Sequence, residues 1–221
     1  AVRARLAAIA GDIDEALERR AAVDLDVQDP DVAALVAMVS AEALTWAGRP
    51  AAALEEAEAG LKHLDALDDV LWAAPLVALG LRALADLAEA APVARAEPSP
   101  APAAALERFR ARLERIASRA PTRSSRGWVA LAHGELARAT GGAEGQAHWD
   151  AAIASFDAVP DPLLAAYARL RAAEAGLHAH GLRADVAPLL HEAAAVAERT
   201  GARLLARAVA ELAGRARITT T

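Results

Sequence analysis

Apolar residues fall three and four positions apart along most of this chain, the spacing that lines one side of an α-helix. The pattern is itself repeated. In Gly11-Asp12-Ile13-Asp14-Glu15-Ala16-Leu17 a glycine closes one helix, and an Ala-Leu pair opens the apolar face of the next. Gly48-Arg49-Pro50-Ala51-Ala52-Ala53-Leu54 restates that arrangement 37 residues later, and Gly141 and Gly181 stand 40 residues apart behind similar helical runs. A period of nearly forty residues marks stacked helix pairs, because one pair cannot bury its apolar face alone. The predicted fold is all-α: an α-solenoid of about five TPR-like helix pairs with a C-terminal capping helix. It forms one domain over residues 1–218, followed by a polar tail at 219–221.

Helix signals place the elements. Helices are expected over about 1–10 and 12–24, then from Asp31 to Trp46. Asp29-Pro30-Asp31 forms a turn and an N-cap, since a carboxylate there accepts the orphan amide protons of the first turn. Gly48 stops that helix, and Pro50 suits the first position of the next, which ends near His63–Leu67. Asp68 and Asp69 cap a long helix over 69–91, with Pro75 tolerable near its first turn or at a kink. Residues 92–102 hold four prolines in eleven positions, so an extended Pro-rich inter-helix loop is expected there. Helix resumes at 103–119, then at 123–140, 145–158, 161–180, 183–199 and 202–216. Pro160 and Pro162 punctuate the later pairs.

Composition narrows the class. Hydrophobic residues make up 55% of 221, yet aromatics only 3%. The apolar content is therefore mostly alanine, leucine and valine, which favours helices that approach closely. A net charge of −6 and a pI near 5.5 disfavour a nucleic-acid-binding face, which needs basic residues against phosphates. Cysteine is absent, which removes disulfides, thiol catalysis and Cys-ligated zinc. No uninterrupted apolar run approaches the roughly 20 residues of a membrane span, so no membrane partner is expected. The opening Ala1-Val2-Arg3-Ala4-Arg5 reads as the interior of a helix, and the chain is expected to be a piece of a larger cytoplasmic protein. Of 24 basic residues only Lys62 is lysine, a bias expected of a GC-rich bacterial genome.

Several phrases carry a family resemblance over about 70–218. They are Arg82-Ala83-Leu84-Ala85-Asp86-Leu87-Ala88-Glu89-Ala90-Ala91, Trp149-Asp150-Ala151-Ala152 leading to Phe156, and Ala166-Tyr167-Ala168-Arg169-Leu170-Arg171-Ala172-Ala173-Glu174-Ala175. Gly181, the alanine-rich stretch Ala193–Ala197, Thr200-Gly201-Ala202-Arg203-Leu204-Leu205 and Ala213-Gly214-Arg215-Ala216-Arg217-Ile218 complete the set. Together they resemble the helical-repeat region of large ATP-binding LuxR-type transcription regulators of actinobacteria, which are MalT-related. Such regulators carry an ATP-binding module, the helical array, then a helix-turn-helix. This sequence contains no Gly-x-x-x-x-Gly-Lys-Ser/Thr loop and no DNA-reading helix pair after residue 218. The resemblance implies a sensor or relay segment that binds a small-molecule effector or a protein partner. ATP and DNA would be met only through modules of a parent protein, and the segment itself would need no cofactor. A free-standing scaffold that grips a peptide, and a small-molecule-binding module, remain the other readings.

The candidate chemistry is sparse. No serine lies in a nucleophile turn and no carboxylate pair stands out for acid–base work, so catalysis is not expected. His178-Ala179-His180 with His191-Glu192 invites a metal, but helical spacing supplies no third ligand and no metal site is assigned. Arg108, Arg112, Arg115 and Arg119 line one side of a helix, with Arg110, Arg123 and Arg126 nearby. They form a candidate patch for an anionic partner, or a solvated face beside Glu107 and Glu114. The few rings are Trp46, Trp72, Trp128, Trp149, Tyr167, Phe109 and Phe156. Most are expected in the core, with Trp149 and Phe156 seven apart on one helix face. Trp46, Trp72, Trp128, Trp149 and Tyr167 are the candidates for a concave groove, where a ring would stack on a ligand or peptide.

Overall fold

The computed structural model describes residues 2–22, 29–65, 67, 69–94, 100–142, 144–159, 161–179 and 181–219. Eleven helices and no strand occur among them. They are α1 (Val2–Ala10), α2 (Ile13–Ala21), α3 (Pro30–Trp46), α4 (Pro50–His63), α5 (Val70–Ala94) and α6 (Pro100–Ala117). There follow α7 (Arg123–Thr140), α8 (Gly145–Asp157), α9 (Pro162–His178), α10 (Arg183–Thr200) and α11 (Arg203–Ala216). The expected turn at 24–28, the Asp68 cap and the Pro160 and His180 positions lie outside the described residues.

Local chemistry explains the boundaries. The Asp29 carboxylate accepts from the Asp31 amide at 3.0 Å ahead of Pro30, and Asp161 caps α9 through the Leu164 amide at 3.2 Å ahead of Pro162. Thr122 and Ser125 form a reciprocal capping box at the start of α7. At the other ends, Gly11, Gly48, Gly141 and Gly201 all take positive φ, the left-handed turn that lets a helix stop without a Cβ clash. Gly181 works differently. Its amide donates to the Gly176 carbonyl at 2.8 Å.

The structure departs at both edges from the loop expected at 92–102, whose residues 95–99 lie outside the described residues. α5 continues through Pro92 to Ala94, and α6 already begins at Pro100 and includes Pro102. The reason is positional: Pro100 and Pro102 sit in the first turn, where amide protons have no intrahelical acceptor and a proline forgoes nothing.

α5 is the centre of the molecule. Ala73, Ala74, Leu76, Val77, Ala78, Leu81, Ala83 and Ala85 are all buried, so the helix is apolar on every side, as a surrounded helix must be. Its 70–91 segment is long and apolar enough to cross a bilayer, yet its most apolar 18 residues are 72% buried within the protein, and it is interrupted by Arg82, Asp86 and Glu89. It packs on α3, α4, α6 and α7. Successive helices pack as neighbours along the chain, and α5 also lies along α7, the first helix of the following pair.

Glycine sets the depth of several seams between paired helices. A Cβ on Gly80 would meet the Phe109 ring at 2.1 Å, one on Gly134 the Trp149 ring at 2.7 Å, and one on Gly127 the Phe156 ring at 2.9 Å. Phe109, Trp149 and Phe156 are consequently buried in the α5–α6 and α7–α8 seams.

The first and last helices meet. Arg203 at the start of α11 donates to the Ala10 carbonyl, and its guanidinium lies 2.6 Å from the Asp12 carboxylate. Ile9 of α1 packs into the cluster built by α9, α10 and α11. The helix expected as a terminal cap thus also touches the opposite end of the array.

Candidate functional site

The odd-numbered helices converge on one internal pocket. Ala8 and Ile9 come from α1, Glu42 and Trp46 from α3, Leu79 and Arg82 from α5, and Trp128 and Leu131 from α7. Leu163, Leu164 and Tyr167 of α9 complete the ring with Leu204 and Leu205 of α11. The space enclosed is about 40 Å³, room for roughly three waters. An open concave groove was the expectation. The helices meet instead around a small pocket lined mainly by apolar side chains.

Arg82 lines this pocket and lies against two rings. Its guanidinium carbon is 4.3 Å from the Trp46 ring centre and 4.4 Å from that of Tyr167. The two rings meet edge to face at 6.0 Å. Arg82 is only 6% exposed, forms no ion pair among the described residues, and its Nε has no hydrogen-bond partner. A desolvated cation–π contact is worth about 2 kcal/mol, whereas an unpaired buried ion costs several. The two rings, nearly perpendicular to each other, flank the guanidinium from adjacent sides. Its donor edge is left without an acceptor.

Behind Arg82 lies a buried ionic cluster, outside the candidate residues read from the sequence. The Tyr167 hydroxyl donates to Glu135 and accepts from Arg171 Nε at 3.0 Å. Arg171 also donates to Glu174 at 2.6 Å. Arg138 donates to Asp86 and to the Arg82 carbonyl, and its Nε lies 3.3 Å from both Glu89 and Glu135 carboxylates. Glu135 is fully buried. Among the described residues, the buried side-chain nitrogens and oxygens without a hydrogen bond are Arg82 Nε, Glu135 Oε2, Arg138 Nε and Arg138 Nη1. Native interiors satisfy nearly all such groups, so their gathering in one cluster marks it as a place where the fold accepts a cost.

The electrostatics follow from burial and neighbours. Burial pushes the Tyr167 hydroxyl up to about 12 against the pull of Arg171 and Arg82, so it is a permanent donor. Glu89, at the rim, is raised chiefly by burial, with Arg138 opposing. Burial works to raise the Glu174 carboxyl too, but Arg171 and Arg138 outweigh it and hold the group low. Burial likewise opposes charge on Arg171, yet Tyr167, Glu135 and Glu174 keep it protonated. Arg138 and Arg171 also face a wider cleft of about 620 Å³ between α7, α8, α9 and α10, with Trp149 and His178 on its wall.

The other sequence candidates fall elsewhere. Trp46, Trp128 and Tyr167 come together at the inner pocket, with Trp128 also edge to face on Phe156 at 5.8 Å. Trp149 fills the α7–α8 seam, and Trp72 packs half-buried against the main core. Arg108 pairs with Glu58 at 2.5 Å and Arg112 with Asp65, so these two arginines brace α6 against α4, while Arg115 is exposed and Arg119 also makes an interaction. His191 lies 2.6 Å from the Thr219 carbonyl through Nε2. A histidine pair not expected from sequence, His133 of α7 and His148 of α8, stacks with ring centres 4.9 Å apart.

A sequence signal for the missed cluster existed. Arg82, Asp86 and Glu89 interrupt an apolar helix at one-turn spacing, and Glu135/Arg138 and Arg171/Glu174 repeat a three-residue offset. Charge inside an apolar stripe is costly enough to need a partner.

No family model matches this chain, and neither a curated protein nor a solved structure matches it.

Proposed function

We propose that this chain is the sensor and signal-relay array of an actinobacterial LuxR-type transcription regulator, a TPR-like solenoid curled around an effector pocket. The observation that carries the reading is the convergence of Trp46, Trp128, Tyr167 and Arg82 on one pocket lined by all six odd-numbered helices. An occupant there touches elements from both ends of the array. A ligand that fits one curvature better than another shifts the population toward it, and the shift is delivered to whatever modules flank the array. The array is non-catalytic, works in the cytoplasm, and meets ATP and DNA only through such modules. A pocket walled by rings with a convergent arginine favours small-molecule sensing over a peptide-gripping scaffold.

The test is intrinsic tryptophan fluorescence during titration with small-metabolite pools and fractionated cell extract. A saturable spectral shift is expected, and Trp46→Phe should remove most of it while Trp72→Phe should not. Absence of any shift with every fraction would defeat effector sensing and leave the free-standing interaction scaffold.

A further inference from the structure

We infer that the groove between α4 and α6 docks an extended acidic peptide, whose carboxylates are taken by Lys62, Arg108, Arg112 and Arg115. Both helices pack on α5, and the space between them is about 570 Å³, within the range of ligand sites. None of its lining residues belongs to the inner pocket, so this inference stands apart from the sensor reading.

Charge complementarity selects the partner. The four cations meet only Glu58 and Asp65 in the lining, so the groove carries surplus positive charge on a chain whose net charge is −6. Lys62 and Arg115 are exposed and form no ion pair among the described residues. The other two arginines are only partly used. Arg108 donates to Glu58 through Nη2 at 2.5 Å, and its side chain is 61% exposed, which leaves Nε and Nη1 open to a carboxylate. Arg112 donates through Nη1 to Asp65 and through Nη2 to the Leu61 carbonyl at 3.4 Å, which leaves Nε. A guanidinium fork matches a carboxylate, and exposed ion pairs are weak enough to exchange. Spacing suits an extended chain. Arg108 and Arg112 lie about 6 Å apart along the α6 axis, and alternate residues of a strand are about 6.6 Å apart. A nucleic-acid backbone fits less well, because Glu58 and Asp65 would meet its phosphates as like charges.

The experiment is fluorescence anisotropy of a rhodamine-labelled Glu-Thr-Glu-Thr-Glu peptide titrated with the full chain. The β-branched threonines favour an extended backbone. Saturable binding is expected, with the Gln-Thr-Gln-Thr-Gln and Lys-Thr-Lys-Thr-Lys peptides each at least tenfold weaker. Affinity for the acidic peptide should fall as salt rises. Lys62→Glu and Arg115→Glu change exposed cations that have no partner to lose. Each is expected to weaken the acidic peptide about tenfold, the low end for a charged hydrogen bond. Arg207→Glu makes the same charge change on α11, outside the groove, and should leave binding unchanged. Binding that survives both groove reversals, or that Arg207→Glu weakens equally, would overturn the inference. So would an acidic peptide that does not bind. A five-nucleotide oligothymidylate that binds as tightly and displaces the peptide would also overturn it, since the groove would then answer to any polyanion.

Discussion

The ring-on-glycine seams and the ionic cluster of this protein are built on opposite principles. In the seams between α5 and α6 and between α7 and α8, a ring lies on a glycine: Phe109 on Gly80, Trp149 on Gly134, Phe156 on Gly127. These contacts are apolar and close. In and beside the cluster, Trp46, Arg82, Glu135, Arg138, Tyr167 and Arg171 come from four helices and carry charge into the interior. Seams of the first kind stabilise by burying large rings in shapes that fit them. Clusters of the second kind are weak evidence for stability, because desolvation consumes most of the Coulombic gain. The contrast teaches that the seams hold the helices together while the ionic cluster is kept polar at a cost, which is where a ligand-responsive function is sought.

The sharpest way to break the comparison acts on the ionic cluster. Glu135→Leu leaves Arg138, Arg171 and Tyr167 without their shared acceptor and should destabilise by about 3–5 kcal/mol in chemical denaturation. Replacing Asp86, Glu135, Arg138, Arg171 and Glu174 together by apolar residues of similar volume should instead be close to neutral. A concerted variant as unstable as the single one would show that the cluster is a structural keystone, and the contrast with the seams would collapse.

Gly80→Ala probes a seam. Its Cβ would meet Phe109 at 2.1 Å, and overpacking of this kind typically costs 1–3 kcal/mol, which outweighs the gain of about 1 kcal/mol in helix propensity. A thermal melt should show a lower Tm. Gly214→Ala in α11 supplies the sign control, because nothing lies within 4 Å of its Cβ. Only the propensity term remains there, so the Tm should rise by an amount equivalent to at most about 1 kcal/mol. Matching signs for the two alanines would refute the ring-on-glycine account.

The smallest expected effect concerns His133. Burial, then the neighbouring His148, holds its pKa below the ordinary 6.5. The unfolded chain therefore takes up the proton first, and stability is fully present above about 6.5. It is lost as the pH falls from there through the lower folded value. His133→Asn should flatten a Tm-against-pH curve in that window. A variant curve that falls as steeply as that of the original chain would exclude this pair as its source.

Much of the array was readable in the sequence because helix boundaries are local chemistry. Asp29-Pro30, Gly48, Thr122 with Ser125, Gly141 and Gly201 each act within four residues of themselves. That is why α7 falls on its expected span of 123–140 and most other helices start and stop within a few residues of expectation. The 92–102 loop misled because counting prolines ignores where they fall. Pro100 and Pro102 sit in a first turn, where proline is at home. For the site, Trp46, Trp128 and Tyr167 were picked out as rare large rings, but nothing in their spacing separated them from Trp72 and Trp149.

By itself, then, the sequence determined an all-helical chain, its helix ends and the rings and glycines available to its seams, since each follows from contacts a few residues long. Only the tertiary structure decided that α1 meets α11, that Arg82 lies against Trp46 and Tyr167, and that Glu135 reaches Tyr167 from 32 residues away. Those pairings depend on how several helices pack on one another at once, and no single stretch of sequence encodes that.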